Sequence, residues 1–379
     1  MVNSPLNQPS GDIASSSRPT EAKERPPLVY ILPSSDMYGT ERMALATTEG
    51  LAADFRVIFL GPLGPAIYEA RKLGFETVEF QTTAQLYKVL FKTFRRFDSL
   101  TFVSTLTRYT KACLLVNFFL RRKIRKIHMI HGGGDEKIDY GRLNWFNPFE
   151  VTFVAVSDYG RQRMMHFGIR PDRIAVVGNF MTRRQLESVP RRPSFDRGGV
   201  RKVVLVARVD PPKRVDLLLD ALDLCGEQMR DVSFRVLGWG PDLDRLSERA
   251  KRDHPNVVFA GYVDNVPEEL AGADLLLHTC PIETFGMAVL EAMAANLPTL
   301  VPDAGGTAAL VQDGHNGFTF RADDADHLAA KLVELKNAPA ELLNRIAGEG
   351  RATSETRYSE DVSIAKYREL FTPSSLKLR

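Results

Sequence analysis

Residues 281–306 have the sequence PIETFGMAVLEAMAANLPTLVPDAGG and contain an informative local pattern of a loop, a helix and a strand. An apolar run at 274–278 precedes the stretch and predicts a buried strand, and a second run at 299–301 predicts the next strand. Between them lie a loop with Gly286 and a helical pattern over 287–295. The order strand, helix, strand is typical of a parallel sheet that is covered by helices.

The same alternation continues on both sides of this stretch. Short runs of Val, Ile, Leu and Phe without polar alternation are typical of strands that are buried on both faces. Patterns of helical period separate these runs. The sequence therefore predicts an α/β protein with two doubly wound, Rossmann-like domains. The predicted strands are 28–32, 56–60, 76–80, 100–104, 126–130, 151–156, 174–177, 202–206, 232–237, 257–260, 274–278 and 299–301.

The chain has 379 residues, which suits two domains of roughly 170 to 190 residues each. Residues 188–199, SVPRRPSFDRGG, lack periodicity and are rich in Pro, Arg and Gly, so they predict a linker. We expect a first domain over 28–187 and a second domain over 200–358. A disordered tail is predicted over 1–27, and a last helix followed by a tail over 359–379.

The charge is unevenly distributed along the chain. The whole chain has a formal net charge of only +3, but residues 26–185 hold 23 Lys and Arg against 14 Asp and Glu. A basic first half indicates an anionic partner, such as a phosphate-bearing substrate or a membrane surface. A nucleic acid is not expected, because no aromatic RNA-binding motif or helix-turn-helix signal accompanies the charge.

The cysteines and apolar runs indicate the compartment. Cys113, Cys225 and Cys280 are far apart and show no metal-ligand spacing, so free thiols in a reducing compartment are expected. No secretory signal or run long enough to span a membrane is recognisable. We expect a cytoplasmic protein.

Polar residues follow the strand at 274–278, where ligands bind in open α/β sheets. Gly286 would let a ligand approach the backbone closely. Glu283 lies in the same loop, and Glu291, two turns further on, can accept hydrogen bonds from ribose hydroxyls. Alternatively, Glu283 only complements a helix N-terminus and Glu291 is solvated. The free amides predicted to bind a phosphate are those of Met287, Ala288 and Val289.

Three further segments place charged residues, a glycine or a histidine at the end of a predicted strand. Arg208 and Lys213 follow a buried strand, where two cations would neutralise a diphosphate, although ordinary surface charge is the alternative. Gly39, in SSDMYGTER at 34–42, would allow a tight turn that presents amides to the phosphate. His131 ends a strand in IHMIHGGG and can hydrogen-bond a sugar hydroxyl, whereas His128 is expected to pack inside the strand.

Together these segments resemble the retaining glycosyltransferases of family 4. The resemblance covers nearly the whole chain after the tail. Its strongest signature is the Glu-x7-Glu pair formed by Glu283 and Glu291, and the second is the Arg-x4-Lys pair formed by Arg208 and Lys213. The family implies the GT-B fold, in which two Rossmann-like domains face each other across a cleft.

The resemblance also implies roles for individual residues. Arg208 and Lys213 would hold the diphosphate, with Glu283 and His131 near the donor sugar. Glu291 would bind the ribose. Further donor contacts would come from Gly39 near the phosphates and from the backbone of Tyr262 and Val263 near the base. The last helix would cross back onto the first domain.

Two positions depart from the family pattern. Asn179-Phe180 stands where the family often has Asn-Gly, and Tyr38-Gly39-Thr40 stands where it often has paired glycines. Neither departure touches the two signature motifs. The second affects the loop that is expected to contact the phosphates.

The implied activity is retaining transfer of a hexosyl unit from a UDP- or GDP-linked sugar to a saccharide or lipid-linked acceptor. Bacterial cell-surface polysaccharide or glycolipid synthesis is the expected setting. No cofactor or metal is expected, since Asp242 and Asp244 fit the start of a helix. Lys213→Ala or Glu291→Ala should strongly reduce transfer and leave the fold intact. The alternatives are a GT-B epimerase or phosphorylase, and a non-catalytic sugar-nucleotide binding protein.

A basic helix predicts a membrane contact. Residues 85–97 place Lys88, Lys92, Arg95 and Arg96 on one face, and the run from Arg121 to Lys126 adds a second basic patch. Both patches can rest on anionic lipid at the inner face of the plasma membrane. The alternative is an ordinary solvated face.

Overall fold

The computed structural model describes residues 25–132 and 140–372. Two separate parallel sheets form two Rossmann-like domains, which confirms the predicted fold class. Residues 1–24 of the predicted tail, Gly133 and Gly134 of the triple glycine, and the last residues 373–379 lie outside the described residues.

The first domain is built from alternating strands and helices. Its sheet has the order β3-β2-β1-β4-β5-β6-β7, with all neighbours parallel. The elements are β1 Pro27–Ile31, α1 Gly39–Gly50, β2 Arg56–Gly61, α2 Pro65–Lys72, β3 Glu76–Glu79, α3 Thr83–Arg95, β4 Ser99–Ser104, α4 Thr107–Leu120, β5 Lys123–Ile130, β6 Val151–Ala155, α5 Asp158–His166, β7 Ile174–Val176 and α6 Arg183–Ser188.

The second domain repeats this plan with six strands in the order β10-β9-β8-β11-β12-β13. All twelve predicted strands are present in the two sheets. The sequence analysis does not predict β13, whose sequence Phe-Thr-Phe has a polar residue in the middle and so is not a continuous apolar run. The elements are β8 Lys202–Val206, α7 Asp216–Cys225, β9 Ser233–Leu237, α8 Leu243–Asp253, β10 Val257–Gly261, α9 Val266–Ala271, β11 Leu275–Leu277, α10 Met287–Ala294, β12 Thr299–Pro302, α11 Thr307–Leu310, β13 Phe318–Phe320, α12 Ala325–Lys336, α13 Ala340–Thr356 and α14 Glu360–Phe371.

The strands are buried on both faces, as their apolar runs require. In β1, Leu28 and Tyr30 pack into one hydrophobic cluster, while Val29 and Ile31 pack into another. Strand order reverses beside β1 in the first sheet and beside β8 in the second. Ligands of open α/β sheets bind at such reversals, at the carboxyl ends of the strands.

The last helix packs on the first domain. Tyr367 and Phe371 of α14 belong to the same cluster as β1, and the Thr101 hydroxyl donates to the Phe371 carbonyl at 2.8 Å. The chain therefore crosses between the domains twice. The two crossings touch, because the Met181 amide donates to the Tyr358 carbonyl at 3.3 Å and Arg183 pairs with Asp361 at 3.0 Å.

A close contact joins the two domains at their facing loops. The Ser157 hydroxyl of the first domain donates to the Thr284 carbonyl of the second at 2.5 Å. Gly132 has a φ of +81°, and a Cβ there would lie 1.6 Å from the Thr284 hydroxyl oxygen. Only glycine fits this position, so the loops that follow β5 and β11 meet directly.

Candidate active site

Loops of both domains enclose a cavity of about 300 Å³ at the carboxyl ends of the strands. The first domain contributes the start of α1 and the end of β5, and the second domain contributes the loops after β8 and β11. Four candidates, Val289, Glu291, Tyr262 and Val263, do not line the cavity. The candidates that line it are Gly39, His131, Arg208, Lys213, Glu283, Gly286, Met287 and Ala288.

The start of α10 is one wall of the cavity. Gly286 precedes the helix with a φ of +97°, and a Cβ there would lie 2.6 Å from the Thr307 methyl carbon. The expectation of three free amides is wrong at Val289, whose amide donates to the Gly286 carbonyl at 3.1 Å. Within residues 25–132 and 140–372, the amides of Met287 and Ala288 have no acceptor.

The start of α1 is a second wall. Helix α1 begins at Gly39 after Tyr38, whose side chain makes no capping hydrogen bond. The φ of Gly39 lies outside the left-handed region, so the predicted tight turn is not the reason for a glycine here. A Cβ on Gly39 would meet nothing within 4 Å, and the glycine instead leaves open space before the helix.

Lys213 and Glu283 form an ion pair of 2.7 Å at the base of the cavity. Burial opposes a charge on either group, but the attraction between them prevails, so the pKa of Lys213 is raised and the pKa of Glu283 is lowered. Breaking a buried pair costs about 3–5 kcal/mol. The two side chains are still 25% and 22% exposed, so the cost here is smaller, and the expectation that Lys213→Ala leaves the fold intact stays a prediction.

Two hydrogen bonds fix the loop that carries Lys213. The Thr279 hydroxyl donates to the Lys213 carbonyl at 2.8 Å, and the Cys280 thiol donates to the Pro212 carbonyl at 3.1 Å. Both donors follow β11, the strand that also leads to Glu283. The loops after β8 and β11 are thus held together by backbone contacts as well as by the ion pair.

Arg208 is a largely exposed cation at the mouth of the cavity. Its side chain is 63% exposed, pairs with Asp210 at 3.2 Å and lies over the Trp239 ring at 6.0 Å. Because a surface ion pair of this kind contributes little, Arg208 can turn towards an anion at small cost.

His131 and Asn179 face each other in the cavity. Burial lowers the pKa of His131 to about 4, an effect that a hydrogen bond with Asn179 opposes, so the ring is neutral near pH 7. Its Nε2 atom is buried without a hydrogen-bond partner among the described residues. Sequence reasoning noted Asn179 only as part of a departure from the family pattern and missed its place in the site.

The expected nucleoside contacts lie beyond the cavity at the same sheet edge. Tyr262 is 74% exposed, and Val263 packs against the hydrophobic cluster of the second domain. Glu291 lies in α10 behind the cavity wall, and burial raises its pKa to about 7 against the opposing charge of Arg42. Ribose and base binding by these residues stays a prediction.

His278, Cys280 and Glu283 bring ligand-type atoms within 4.8 Å of one another. The Lys213 ammonium lies on Glu283, where it would repel a metal ion. Burial raises the pKa of the Cys280 thiol to about 11, so the sulfur keeps its proton near pH 7. These contacts make the cluster a poor metal site, and metal independence stays a prediction.

Known proteins are similar to this chain in sequence and in fold. Residues 200–337 match the family model described as glycosyl transferases group 1. Relatives include the putative glycosyltransferase EpsD of Bacillus subtilis, 25% identical over 60% of this chain and 62% of that protein. A phosphatidyl-myo-inositol mannosyltransferase of Mycobacterium leprae is 30% identical over 48% of this chain and 49% of that protein. The chain thus matches only part of each of these relatives.

Solved structures show the same fold. HepE of Anabaena, in complex with UDP and glucose, aligns with a TM-score of 0.72 and 19% identity over 92% of this chain and 99% of that chain. A glycosyltransferase of Rickettsia africae aligns with a TM-score of 0.76 and 16% identity over 92% and 100%. The relatives support a glycosyltransferase, and the structures show that the architecture is GT-B.

Arg208→Ala is expected to lower the rate of sugar transfer by about 100-fold or more, as loss of one group that stabilises developing negative charge does. The melting temperature should not change, because the side chain is mostly exposed. Steady-state kinetics and thermal unfolding measure the two effects. Arg230→Ala is the matched control, an exposed second-domain arginine paired with Glu227. Equal loss in both variants would contradict the role of Arg208.

Affinity for UDP-glucose is expected to fall as the pH drops from about 8 to about 6. The ionised Glu291 can accept hydrogen bonds from ribose hydroxyls through both oxygens, whereas the protonated group keeps only its carbonyl oxygen as a good acceptor, so binding is strongest above its pKa of about 7 and weaker below it. UDP-glucose is used as the probe instead of UDP, because the terminal phosphate of UDP itself titrates near pH ~6 and would add its own pH dependence. Calorimetry on Glu291→Gln should give weaker binding and a flat pH profile. A wild-type profile in that variant would exclude Glu291.

Proposed function

We propose that this chain is a retaining glycosyltransferase that moves a hexosyl unit from a UDP- or GDP-linked sugar to an acceptor. The observation that carries the proposal is the convergence of Arg208, Lys213 and the N-termini of α1 and α10 on one cavity. Each contributes positive charge or free amides. Together they suit a diphosphate whose negative charge grows as the sugar departs.

The neighbouring residues suit the sugar. His131 is neutral, so its ring offers one donor and one acceptor to a hydroxyl group. Asn179 lines the same cavity, and its Oδ1 atom, which has no hydrogen-bond partner among the described residues, can accept from a hydroxyl of the sugar. Glu283 keeps Lys213 charged, and its remaining lone pairs can accept from a hydroxyl of the sugar.

Retention is proposed to follow attack from the face that the phosphate leaves. The bond between the sugar C1 and the phosphate oxygen breaks, and a bond from C1 to the acceptor oxygen forms. The acceptor proton passes to an oxygen of the departing phosphate. No side chain is assigned as general base, because Glu283 is already engaged by Lys213.

The relatives guide the choice of substrates. HepE crystals contain UDP with glucose or UDP-glucose, so a UDP-linked donor is proposed first. The curated relatives include an EpsD protein and phosphatidyl-myo-inositol mannosyltransferases, which favours a bacterial polysaccharide or glycolipid as acceptor. Activity is proposed to need no metal and to take place in the cytoplasm.

A panel of UDP- and GDP-sugars, screened for thermal stabilisation with and without a chelator, tests donor binding. A donor that binds only the native state raises the melting temperature. We expect one nucleotide series to stabilise the chain, and Lys213→Met combined with Glu283→Gln to abolish the effect. Stabilisation by no sugar nucleotide would overturn the proposal.

Product analysis then separates the alternatives. Donor with acceptor should give a glycoside of unchanged anomeric configuration in NMR spectra. An epimerase would convert the donor alone, and a phosphorylase would need free phosphate. A binding protein would give no product with any acceptor.

We further propose that α3 and α4 rest on anionic lipid. Leu115, Phe118 and Phe119 of α4 are exposed, the two phenylalanines by 73% and 70%, and Lys88 and Lys92 of α3 are exposed cations. An apolar patch with nearby cations suits a membrane that carries negative charge. No helix among the described residues is both long and apolar enough to cross a membrane.

Not all of the lysines and arginines that were predicted to contact lipid offer a free charge. Arg96 pairs with Glu76, and Arg122 pairs with Asp98 at 2.7 Å, so neither offers a free charge. Arg125 and Lys126 lie inside β5 and are only partly exposed. The cations left for lipid are Lys88, Lys92, Arg95, Arg121 and Lys123.

Phe118→Ser combined with Phe119→Ser is expected to remove most binding to vesicles that contain phosphatidylglycerol. The loss of buried apolar area weakens interfacial binding. Vesicle pelleting at two salt concentrations measures it, with Leu224→Ser, an exposed second-domain leucine, as control. Pelleting that ignores anionic lipid and salt would contradict the membrane contact.

A further inference from the structure

The cavity of about 300 Å³ that holds the proposed donor site is called the donor cavity here. A second cavity, of about 850 Å³, lies beside it on the first domain. The two cavities share Thr40, His131 and Gly132. Residues just after β1 and β4, the start of α4, His131 and Gly132 after β5, and Arg142 form the walls of the second cavity. A molecule bound there would meet the donor sugar at His131.

Three cations line this second cavity, and no acidic side chain among the described residues lines it. Arg108 donates only to the Tyr109 hydroxyl, at 3.0 Å, and Lys111 lies over the exposed Trp145 ring at 4.3 Å. Neither these two nor Arg142 forms an ion pair anywhere in the described ranges. Other arginines of this domain, such as Arg96 and Arg122, are neutralised by carboxylates.

Neutral donors complete the surroundings. The Thr105 hydroxyl oxygen is buried without a hydrogen-bond partner among the described residues. Helix α4 begins at Thr107 after Leu106, whose side chain cannot cap it, so the positive end of a 14-residue helix faces the same cavity.

We propose that the acceptor carries a phosphate ester, which Arg108, Lys111 and Arg142 bind in this second cavity. The inference rests on the proposed function and names the class of its acceptor. A phosphate monoester has a charge of about −1.5 to −2 and three acceptor oxygens. It therefore matches three cations better than a carboxylate, which has a single charge and two oxygens. With its phosphate held there, the acceptor presents a hydroxyl group at His131, where the cavities join.

Binding to the protein saturated with UDP tests the proposal, because UDP keeps the probes out of the donor site. Calorimetry compares glucose 1-phosphate with glucuronate and with glucose. We expect the phosphate ester to bind about tenfold more tightly than the carboxylate, and glucose not to bind. Equal binding of the phosphate ester and the carboxylate would overturn the phosphate assignment.

Charge-removing variants locate the site. Arg108→Gln, Lys111→Gln and Arg142→Gln should each weaken glucose 1-phosphate binding by about tenfold. Arg184→Gln, which removes an exposed cation of the same domain that forms no ion pair with any described residue, should not. The affinity for UDP should stay unchanged in all four. Unchanged binding of glucose 1-phosphate in the three variants would overturn the inference. A parallel loss of UDP affinity would also overturn it, because it would place these cations in the donor site. Both outcomes leave the glycosyltransferase proposal standing.

Dodecyl phosphate distinguishes the two sources of a phosphate ester. Tighter binding than glucose 1-phosphate supports a lipid-linked phosphate, and weaker binding supports a soluble sugar phosphate. Failure of both probes to bind overturns the inference. Failure of UDP itself to bind the wild-type chain would instead overturn the proposed function.

Discussion

The ion pair between Lys213 and Glu283 is the interaction on which the geometry of the second domain's site depends. The two residues follow neighbouring strands that are far apart in the sequence, and the pair holds their loops together. A lysine buried alone would tend to lose its proton. With its partner it remains a fixed positive charge before any ligand arrives, so little reorganisation is needed when a diphosphate binds.

Small residues set the distance between the two halves of the site. Gly132 lets the first domain touch Thr284 directly, and Gly286 lets α10 begin at the cavity wall. A Cβ at Gly132 would overlap the Thr284 side chain of the opposite domain, and a Cβ at Gly286 would lie 2.6 Å from the Thr307 methyl carbon. A larger residue at either point would therefore force its neighbours at the cavity to shift.

The sequence predicted the parts of the structure that depend on local pattern. Continuous apolar runs gave the strands, and the rule that ligands bind at strand ends led to Lys213 and Glu283. Contacts between distant segments could not be foreseen. Arg96 and Arg122 are neutralised by carboxylates on other elements, and no local count of charge shows this. The second cavity was missed for the same reason, because its cations come from separate segments: Arg108, Lys111 and Arg142.

The chain crosses between the domains twice, and the two crossings lie side by side. The hydrogen bond between the Met181 amide and the Tyr358 carbonyl joins the outgoing chain to the returning chain. Any relative rotation of the domains would have to bend both chains together, and sliding one chain along the other would break this contact. A protease that cut one crossing would leave the two domains tethered by the other.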